Sequence, residues 1–141
     1  MMKYHIFVYG TLKKGFPNHA KYMKSARARG RYHTIEKYPL VLCGERNVPC
    51  MIFSPGKGHH VEGELYEIGD AGIDRIDALE RIQHPDGYRR YIIRVASCER
   101  LIPDFVEALA YLMPPEQMID CRSDCMKTYR MDDANTYMPR I

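Results

Sequence analysis

The sequence lacks a long apolar run, since no stretch approaches the roughly 18–20 consecutive apolar residues of a membrane-spanning helix. It also lacks an excess of one charge, because 21 lysines and arginines are mixed with 18 aspartates and glutamates, for a net charge of +3. Nucleic-acid-binding proteins usually show a stronger, clustered basic excess. The N-terminal residues are too few and too polar for a secretory signal before strand-like sequence begins. We therefore expect a cytoplasmic protein that binds neither membranes nor nucleic acids.

Evidence for paired cysteines is also lacking. Five cysteines are an odd number in a chain without a signal, which favours reduced thiols over a disulfide scaffold. The nearest pattern to a metal site is Cys121-x-x-x-Cys125, with histidines at 59–60, but no second pair follows at zinc-finger spacing. We interpret Cys121 and Cys125 as surface thiols and predict no metal. The remaining cysteines lie in or beside strand-like runs and are interpreted as core or near-core residues: Cys43, Cys50 and Cys98.

The composition that is present is typical of a folded domain. The chain has 141 residues, of which 45% are hydrophobic and 28% are charged. These proportions can build a core and argue against disorder. Internal repeats, low-complexity tracts and linkers are not recognisable, so we expect one domain over residues 1–141. A monomer is slightly favoured over an oligomer.

Strand signals outnumber helix signals. A short β-branched and aromatic run at residues 4–9 ends at Gly10, and segments rich in glycine and proline separate the later runs. The later runs cover residues 39–43, 50–53, 61–68, 91–96 and 105–113. About six strands in a small domain predict a β-barrel or a strongly coiled sheet. We expect an α+β fold, with a small mixed barrel flanked by a few helices.

The clearest helix is predicted over residues 70–83. Asp70 is a suitable N-cap, and Ile73, Ile76 and Leu79 form an apolar stripe at helical spacing. A second, weaker helix is predicted over residues 19–28. It overlaps a basic run at 21–31, which we interpret as a solvated face rather than an RNA-binding site, because neither a motif nor the overall charge supports one.

Glu80 carries a charge on the apolar side of the predicted helix. At ~100° per residue, it falls between Ile73 and Ile76 on the helical wheel. Burying a carboxylate among aliphatic groups is costly, so such a residue is either paired or used chemically. Two interpretations stay open: a structural ion pair with Arg89 or Arg90, or a catalytic carboxylate.

A loop with two glycines follows the first predicted strand, with the sequence Tyr9-Gly10-Thr11-Leu12-Lys13-Lys14-Gly15. Gly10 permits a sharp turn and close approach of a ligand, and successive N–H groups in such a turn can bind an anion or a developing oxyanion. The loop is not a nucleotide-phosphate loop, because Phe16-Pro17 stands where lysine and serine or threonine would be needed. An ordinary strand-to-loop turn is the alternative.

Several motifs in order give the sequence a family resemblance. Tyr9-Gly10-Thr11-Leu12-Lys13 is followed by Asp77-Ala78-Leu79-Glu80 and then by Tyr88-Arg89-Arg90. With these motifs the chain resembles the gamma-glutamylcyclotransferase-like family, and within it the gamma-glutamylamine cyclotransferase branch. The match continues through GFPNH at 15–19, YPLV at 38–41, GERNVP at 44–49 and VEGELY at 61–66, and Tyr137-Met138-Pro139-Arg140 is similar to a C-terminal motif of that branch. Cys50 departs from the aromatic residue often found there, and residues 99–119 do not align.

The resemblance implies a small barrel flanked by helices, with a cavity at its mouth and no cofactor. It assigns the role of acid and base to Glu80, and substrate binding to Tyr9, Gly10, Thr11 and Leu12. We expect Tyr88 to bound the pocket and Tyr129 to reach it from the C-terminal segment, with simple packing as the alternative for both. Glu80 is then expected to face a cavity beside the Gly10–Leu12 backbone.

The implied reaction is an intramolecular aminolysis. The α-amino group of an L-γ-glutamyl unit attacks its own γ-amide carbonyl and releases 5-oxoproline and an amine. The expected substrate is a γ-glutamyl amine such as γ-glutamyl-ε-lysine, left by proteolysis of transglutaminase-crosslinked protein. Two alternatives remain, namely a cyclotransferase acting on glutathione or other γ-glutamyl peptides, and a non-catalytic module that binds a small molecule on the same fold.

Overall fold

The structure, a computed structural model, describes residues 2–99, 105–117 and 120–139. Over these residues the chain forms seven strands and three helices. In chain order they are β1 Lys3–Val8, α1 His19–Tyr22, β2 Arg27–Thr34, β3 Leu40–Cys43, β4 Val48–Met51, β5 Glu62–Gly69, α2 Asp70–Leu79, β6 Arg89–Ser97, β7 Phe105–Leu112 and α3 Met131–Ala134. No helix in this part of the chain is long and apolar enough to cross a membrane.

Five strands close into a barrel in the order β1-β5-β2-β6-β7. Neighbouring strands are antiparallel except where β1 meets β7 in parallel, with Ile6 opposite Leu109. Strands β3 and β4 form a separate two-stranded hairpin. The barrel is therefore small and mixed, which confirms the fold class predicted from the sequence.

Strand β5 shows how the sequence builds this barrel. Leu65 and Ile68 are buried, whereas Glu62 is exposed and Glu67 is half-buried, as expected when one face of a strand meets the core. Gly63 has a specific packing role, because a Cβ there would lie 2.3 Å from the carbonyl oxygen of Val8. The end of β1, from which the glycine loop departs, therefore packs directly on β5.

Helix α2 ends earlier than the predicted 70–83. It covers Asp70–Leu79 and buries Ile73 and Ile76, and Glu80 is its C-cap. Arg81 then adopts a left-handed conformation with φ 56°, and a Cβ on Gly87 would come within 1.8 Å of the Arg81 carbonyl oxygen. This close backbone contact turns the chain away from the helix axis and leaves Glu80 at the helix end.

The weaker predicted helix, 19–28, is mostly wrong. Helix α1 covers only His19–Tyr22, and the chain then enters β2, a strand the sequence did not predict. Strand β2 is central in the barrel between β5 and β6, and its arginines lie on the outer face, where Arg29 is 4.0 Å from Glu67 and Arg31 is 3.7 Å from Glu99. The basic run is thus largely a solvated face, as predicted.

The cysteines fall into two groups, and all five are free thiols. Cys43 and Cys50 are buried on the β3–β4 hairpin, whereas Cys121 and Cys125 are exposed, as predicted. The prediction for Cys98 is wrong, because this side chain is exposed just beyond the end of β6.

Candidate active site

A cavity opens beside the carboxyl end of β1 and contains roughly 690 Å³ of empty space, its open mouth included. Its walls come from segments far apart in the chain: the end of β1 with the glycine loop, the β3–β4 hairpin, the end of α2, and Tyr111 of β7. Five of the six predicted binding residues line it, namely Tyr9, Gly10, Thr11, Leu12 and Tyr88. Glu80, the predicted catalytic residue, lines the same cavity.

The glycine loop is a tight turn held on both sides. The N–H of Lys13 donates to the carbonyl of Gly10 over 3.1 Å, and the N–H of Lys14 donates to the Glu64 carboxylate over 2.8 Å. A Cβ on Gly10 would lie 2.6 Å from Cγ of Pro49, so the hairpin packs on the loop at a distance that only glycine allows. The Gly10–Leu12 backbone is thereby fixed against one wall of the cavity.

Asn18 holds this loop from its far end. Its side-chain amide donates to Oγ1 of Thr11 over 2.9 Å, and its backbone N–H donates to the Thr11 carbonyl over 2.9 Å. The same amide lies 3.3 Å from the hydroxyl of Tyr137, which also lines the cavity. Asn18 and Tyr137 belong to motifs that carry the resemblance, but neither was predicted as a site residue. The Arg140 of the C-terminal motif lies outside the described residues.

Glu80 lies half-buried at the point where α2 ends. Its backbone N–H donates to Ile76 over 2.9 Å, and its carbonyl accepts from the N–H of Tyr88 over 3.1 Å, so both of its backbone groups are fixed. Glu80 lines the cavity together with Gly10, Thr11 and Leu12. The sequence therefore identified two elements that the fold brings to one cavity.

The arginines considered as partners for Glu80 make other contacts. Arg90 lies 3.5 Å from the carboxylate of Asp77. Arg89 donates from Nη1 to backbone carbonyls at residues 84, 87 and 88, over 3.0, 3.2 and 2.9 Å. Arg89 thus braces the backbone of the segment between Glu80 and Tyr88, two residues that line the cavity.

Tyrosines provide further polar groups of the wall. The hydroxyl of Tyr88 donates to the carbonyl of Pro49 over 2.7 Å, and that of Tyr9 donates to the carbonyl of Tyr111 over 2.6 Å. Burial raises the pKa of Tyr9 and of Tyr88 well above the usual range, and the negative charge of Glu80 adds to the effect in both. These phenols are therefore neutral hydrogen-bonding groups.

Tyr111 was not predicted as a site residue. Its hydroxyl donates to the Asp77 carboxylate over 2.6 Å. Burial is the main cause that raises the pKa of this hydroxyl, and the hydrogen bond to Asp77 adds to the effect. It lies in the predicted strand 105–113, but that pattern does not reveal which strand end reaches a cavity.

The position of Tyr129 corrects the expectation that it reaches the pocket. Its ring is fully buried in the core, with its centroid 5.6 Å from that of Phe16, and it is not among the residues that line the cavity. Its backbone carbonyl accepts from Nζ of Lys13. Tyr129 therefore contacts the glycine loop through Lys13 and does not line the cavity.

Within the described ranges, histidine, cysteine, aspartate and glutamate side chains form no group of three or more that could hold a metal ion. The described residues that line the cavity include the acidic residues Glu80 and Asp86, the basic residue Arg46, and the neutral phenols of Tyr9 and Tyr88. This set of groups can bind a small polar molecule and exchange a proton with it.

The chain is thus a small closed barrel with a cavity at the carboxyl end of β1, and a glycine turn and Glu80 form part of the cavity wall. The family model described as "Gamma-glutamyl cyclotransferase, AIG2-like" matches residues 6–131. The protein belongs to this family, which confirms the resemblance drawn from the motifs.

Relatives and solved structures agree with this assignment. The chain is 45% identical over 95 residues to the gamma-glutamylaminecyclotransferase of Bos taurus, covering 64% of this chain and 55% of that protein. It is 42% identical over 104 residues to the protein of the same name from Homo sapiens, covering 70% and 65%. The matched part therefore spans less than two thirds of these relatives. The fold is similar to the crystal structure of an aig2-like protein from Mus musculus, with a TM-score of 0.80 and 34% sequence identity. The match covers 99% of this chain and 98% of that one.

Proposed function

We propose that this protein is a γ-glutamylamine cyclotransferase, which converts L-γ-glutamyl amines such as γ-glutamyl-ε-lysine into 5-oxoproline and a free amine. The observation that carries the proposal is the half-buried carboxylate of Glu80 in the same cavity as the Gly10–Leu12 backbone, in a chain of this family. A carboxylate and a fixed run of backbone amides are the two groups that this reaction needs.

Glu80 acts as base and then as acid. The substrate's α-ammonium group cannot attack, so the Glu80 carboxylate first removes one proton from it. The amine nitrogen then bonds to the γ-carbonyl carbon and closes a five-membered ring. Ring closure leaves two protons on the ring nitrogen. When the original amide C–N bond breaks, the protonated Glu80 gives its proton to the departing nitrogen. Glu80 then takes the second proton from the ring nitrogen and passes it to the amine, which leaves as an ammonium ion. No water is consumed, and the carboxylate is regenerated.

The cavity lowers the activation barrier mainly by holding the substrate in a geometry that favours ring closure. The nucleophile is already attached to the electrophile, and orienting such a pair can contribute about 7–11 kcal/mol in favourable cases. Negative charge develops on the carbonyl oxygen as the ring closes. We assign its stabilisation to the N–H groups of Gly10–Leu12, because these residues line the same cavity. The close contact between Gly10 and Pro49 keeps these amides in place.

Neutral phenols suit this mechanism better than charged groups. Tyr9 and Tyr88 remain protonated because burial raises the pKa of each hydroxyl. A phenolate near Glu80 would instead repel its negative charge and disfavour proton return. The tyrosine wall therefore leaves Glu80 as the group that exchanges protons.

Release of 5-oxoproline from L-γ-glutamyl-L-ε-lysine tests the proposal, with glutathione assayed in parallel. Glu80→Gln removes the base with little change in shape, and we expect kcat to fall by about 10²- to 10⁴-fold. Glu67→Gln is the matched control, since Glu67 is a half-buried carboxylate on β5 that pairs with Arg29 away from the cavity.

Each outcome has a distinct meaning. Turnover lost in Glu80→Gln and kept in Glu67→Gln supports the proposed reaction and the role of Glu80. Turnover of glutathione alone keeps the mechanism but replaces the substrate class. Folded wild-type protein that releases no 5-oxoproline from a panel of γ-glutamyl amines and peptides contradicts the proposal and favours a binding module.

A further inference from the structure

Few charged residues line the cavity, and they differ in how exposed they are. Of the described residues that line it, three are charged: Arg46, Glu80 and Asp86. Asp86 is largely exposed, with 79% of its side-chain surface accessible, and lies 3.8 Å from Arg81. Arg46 is half-buried and is the cation of this set. It is therefore the positive charge that an enclosed molecule meets.

Arg46 is held in place by the C-terminal segment. It lies in the turn between β3 and β4, and its carbonyl accepts from the N–H of Met138 over 2.9 Å. Its Nη1 donates to the Met138 carbonyl over 3.3 Å. Neighbouring Asn47 lies 3.4 Å from the carbonyl of Thr136 through its side-chain amide. These contacts fix the turn and use one nitrogen of a guanidinium whose planar fork matches a carboxylate.

The β3–β4 hairpin forms a cavity wall that runs from Pro49, beside Gly10, to Arg46. Pro49 is buried and packs on Gly10, Val48 is half-buried, and the turn at Arg46 comes next. Three residues of chain span at most about 11 Å, which is the scale of an extended lysine side chain with its carboxylate. A leaving amine bound along this wall would place its methylene chain on Val48 and Pro49 and its far end near Arg46.

We propose that Arg46 is a specificity-determining residue that binds a carboxylate on the leaving amine. The enzyme then prefers γ-glutamyl derivatives of amines that carry a carboxylate, such as lysine linked through its ε-amino group. Derivatives of simple alkylamines are poorer substrates. This inference rests on the proposed function and adds the half of the substrate that Glu80 and the glycine loop do not bind.

Two substrates that differ in a single group provide the test: L-γ-glutamyl-L-ε-lysine and L-γ-glutamyl-cadaverine, which lacks only the lysine carboxylate. A hydrogen-bonded charge pair at a half-exposed site is expected to give roughly a tenfold higher kcat/KM for the lysine derivative. The difference is expected mainly in KM, because the carboxylate does not change during the reaction.

Arg46→Gln is expected to bring the ratio of the two kcat/KM values close to one. Arg46→Lys keeps the charge but loses the fork, so it is expected to give an intermediate ratio, and it serves if the glutamine variant folds poorly. Arg31→Gln, on the outer face of the barrel, is the matched control and is expected to keep the wild-type ratio.

The outcomes separate this inference from the proposed function. A wild-type enzyme that shows no preference overturns the role of Arg46, as does an equal loss on both substrates in the variants, since that would place Arg46 at the γ-glutamyl end or in a purely structural role. If wild-type protein releases 5-oxoproline from neither substrate, the proposed function itself fails.

Discussion

The contact between Gly10 and Pro49 gives the sharpest prediction for this fold. A Cβ on Gly10 would lie 2.6 Å from Cγ and 3.2 Å from Cβ of Pro49, closer than side-chain atoms pack. Pro49 is buried and its carbonyl accepts from Tyr88, so the ring has little room to move. We expect Gly10→Ala to lower the free energy of unfolding by about 1–3 kcal/mol, which corresponds to a fall in Tm of roughly 3–10 °C.

A double-mutant cycle separates this steric contact from other effects of the substitution. Pro49→Ala removes Cγ but keeps Cβ, so it relieves the 2.6 Å contact and leaves the 3.2 Å contact. Gly10→Ala is therefore expected to cost less in the Pro49→Ala background, with a favourable coupling of about 1 kcal/mol. Because Gly10 lines the cavity, kcat/KM is expected to fall in the single variant and to recover partly in the double variant.

The assay is urea unfolding followed by circular dichroism, with each variant compared at the same pH and salt. A cost for Gly10→Ala within about 0.5 kcal/mol would mean that the loop is not confined by the hairpin. Additive costs in the double variant would likewise refute the reasoning, because they would show that Pro49 is not the residue that confines it.

Two further predictions concern titratable groups. With a thiol reagent at pH 8, the exposed Cys98, Cys121 and Cys125 are expected to react in the native protein. Cys50 is expected to react only after unfolding, because a hydrogen bond with Cys43 and burial raise the pKa of its thiol. Fast modification of Cys50 in the native protein would contradict this. The raised pKa of Tyr9 and of Tyr88 means that the native state keeps protons which the unfolded state loses, so stability is expected to fall as pH rises above about 10. Urea unfolding between pH 8 and 11 measures this, and unchanged stability would count against the burial of these phenols.

The strands could be predicted where their two faces differ in polarity. Buried Leu65 and Ile68 among the glutamates of β5 give a pattern that is readable without a structure. Strand β2 could not be predicted in this way, because its outward arginines and a register shift between Ala28 and Gly30 interrupt the alternation. It is a strand because β5 and β6 pair with it on both sides, and pairing overrides weak local preference.

The two central parts of the candidate site were recognisable separately. Glu80 was marked by a charge beside an apolar stripe, and Gly10 by a turn after a strand. The motifs of the family linked them, and the structure brings both to one cavity. The roles of Arg46 and Tyr111 had no such signal, since a charged residue in a turn and an aromatic residue in a strand are common anywhere in a protein.

By itself, the sequence determined the elements of local order: the alternation of the strands, the apolar stripe of α2 and the glycine turn. Only the tertiary structure decided which of these ends meet. The Tyr9 hydroxyl bonds to the Tyr111 carbonyl across 102 residues, and the Asn18 amide contacts the Tyr137 hydroxyl across 119. Local periodicity determines which face of a strand is buried, but strand order around a closed barrel determines which distant residues share a cavity.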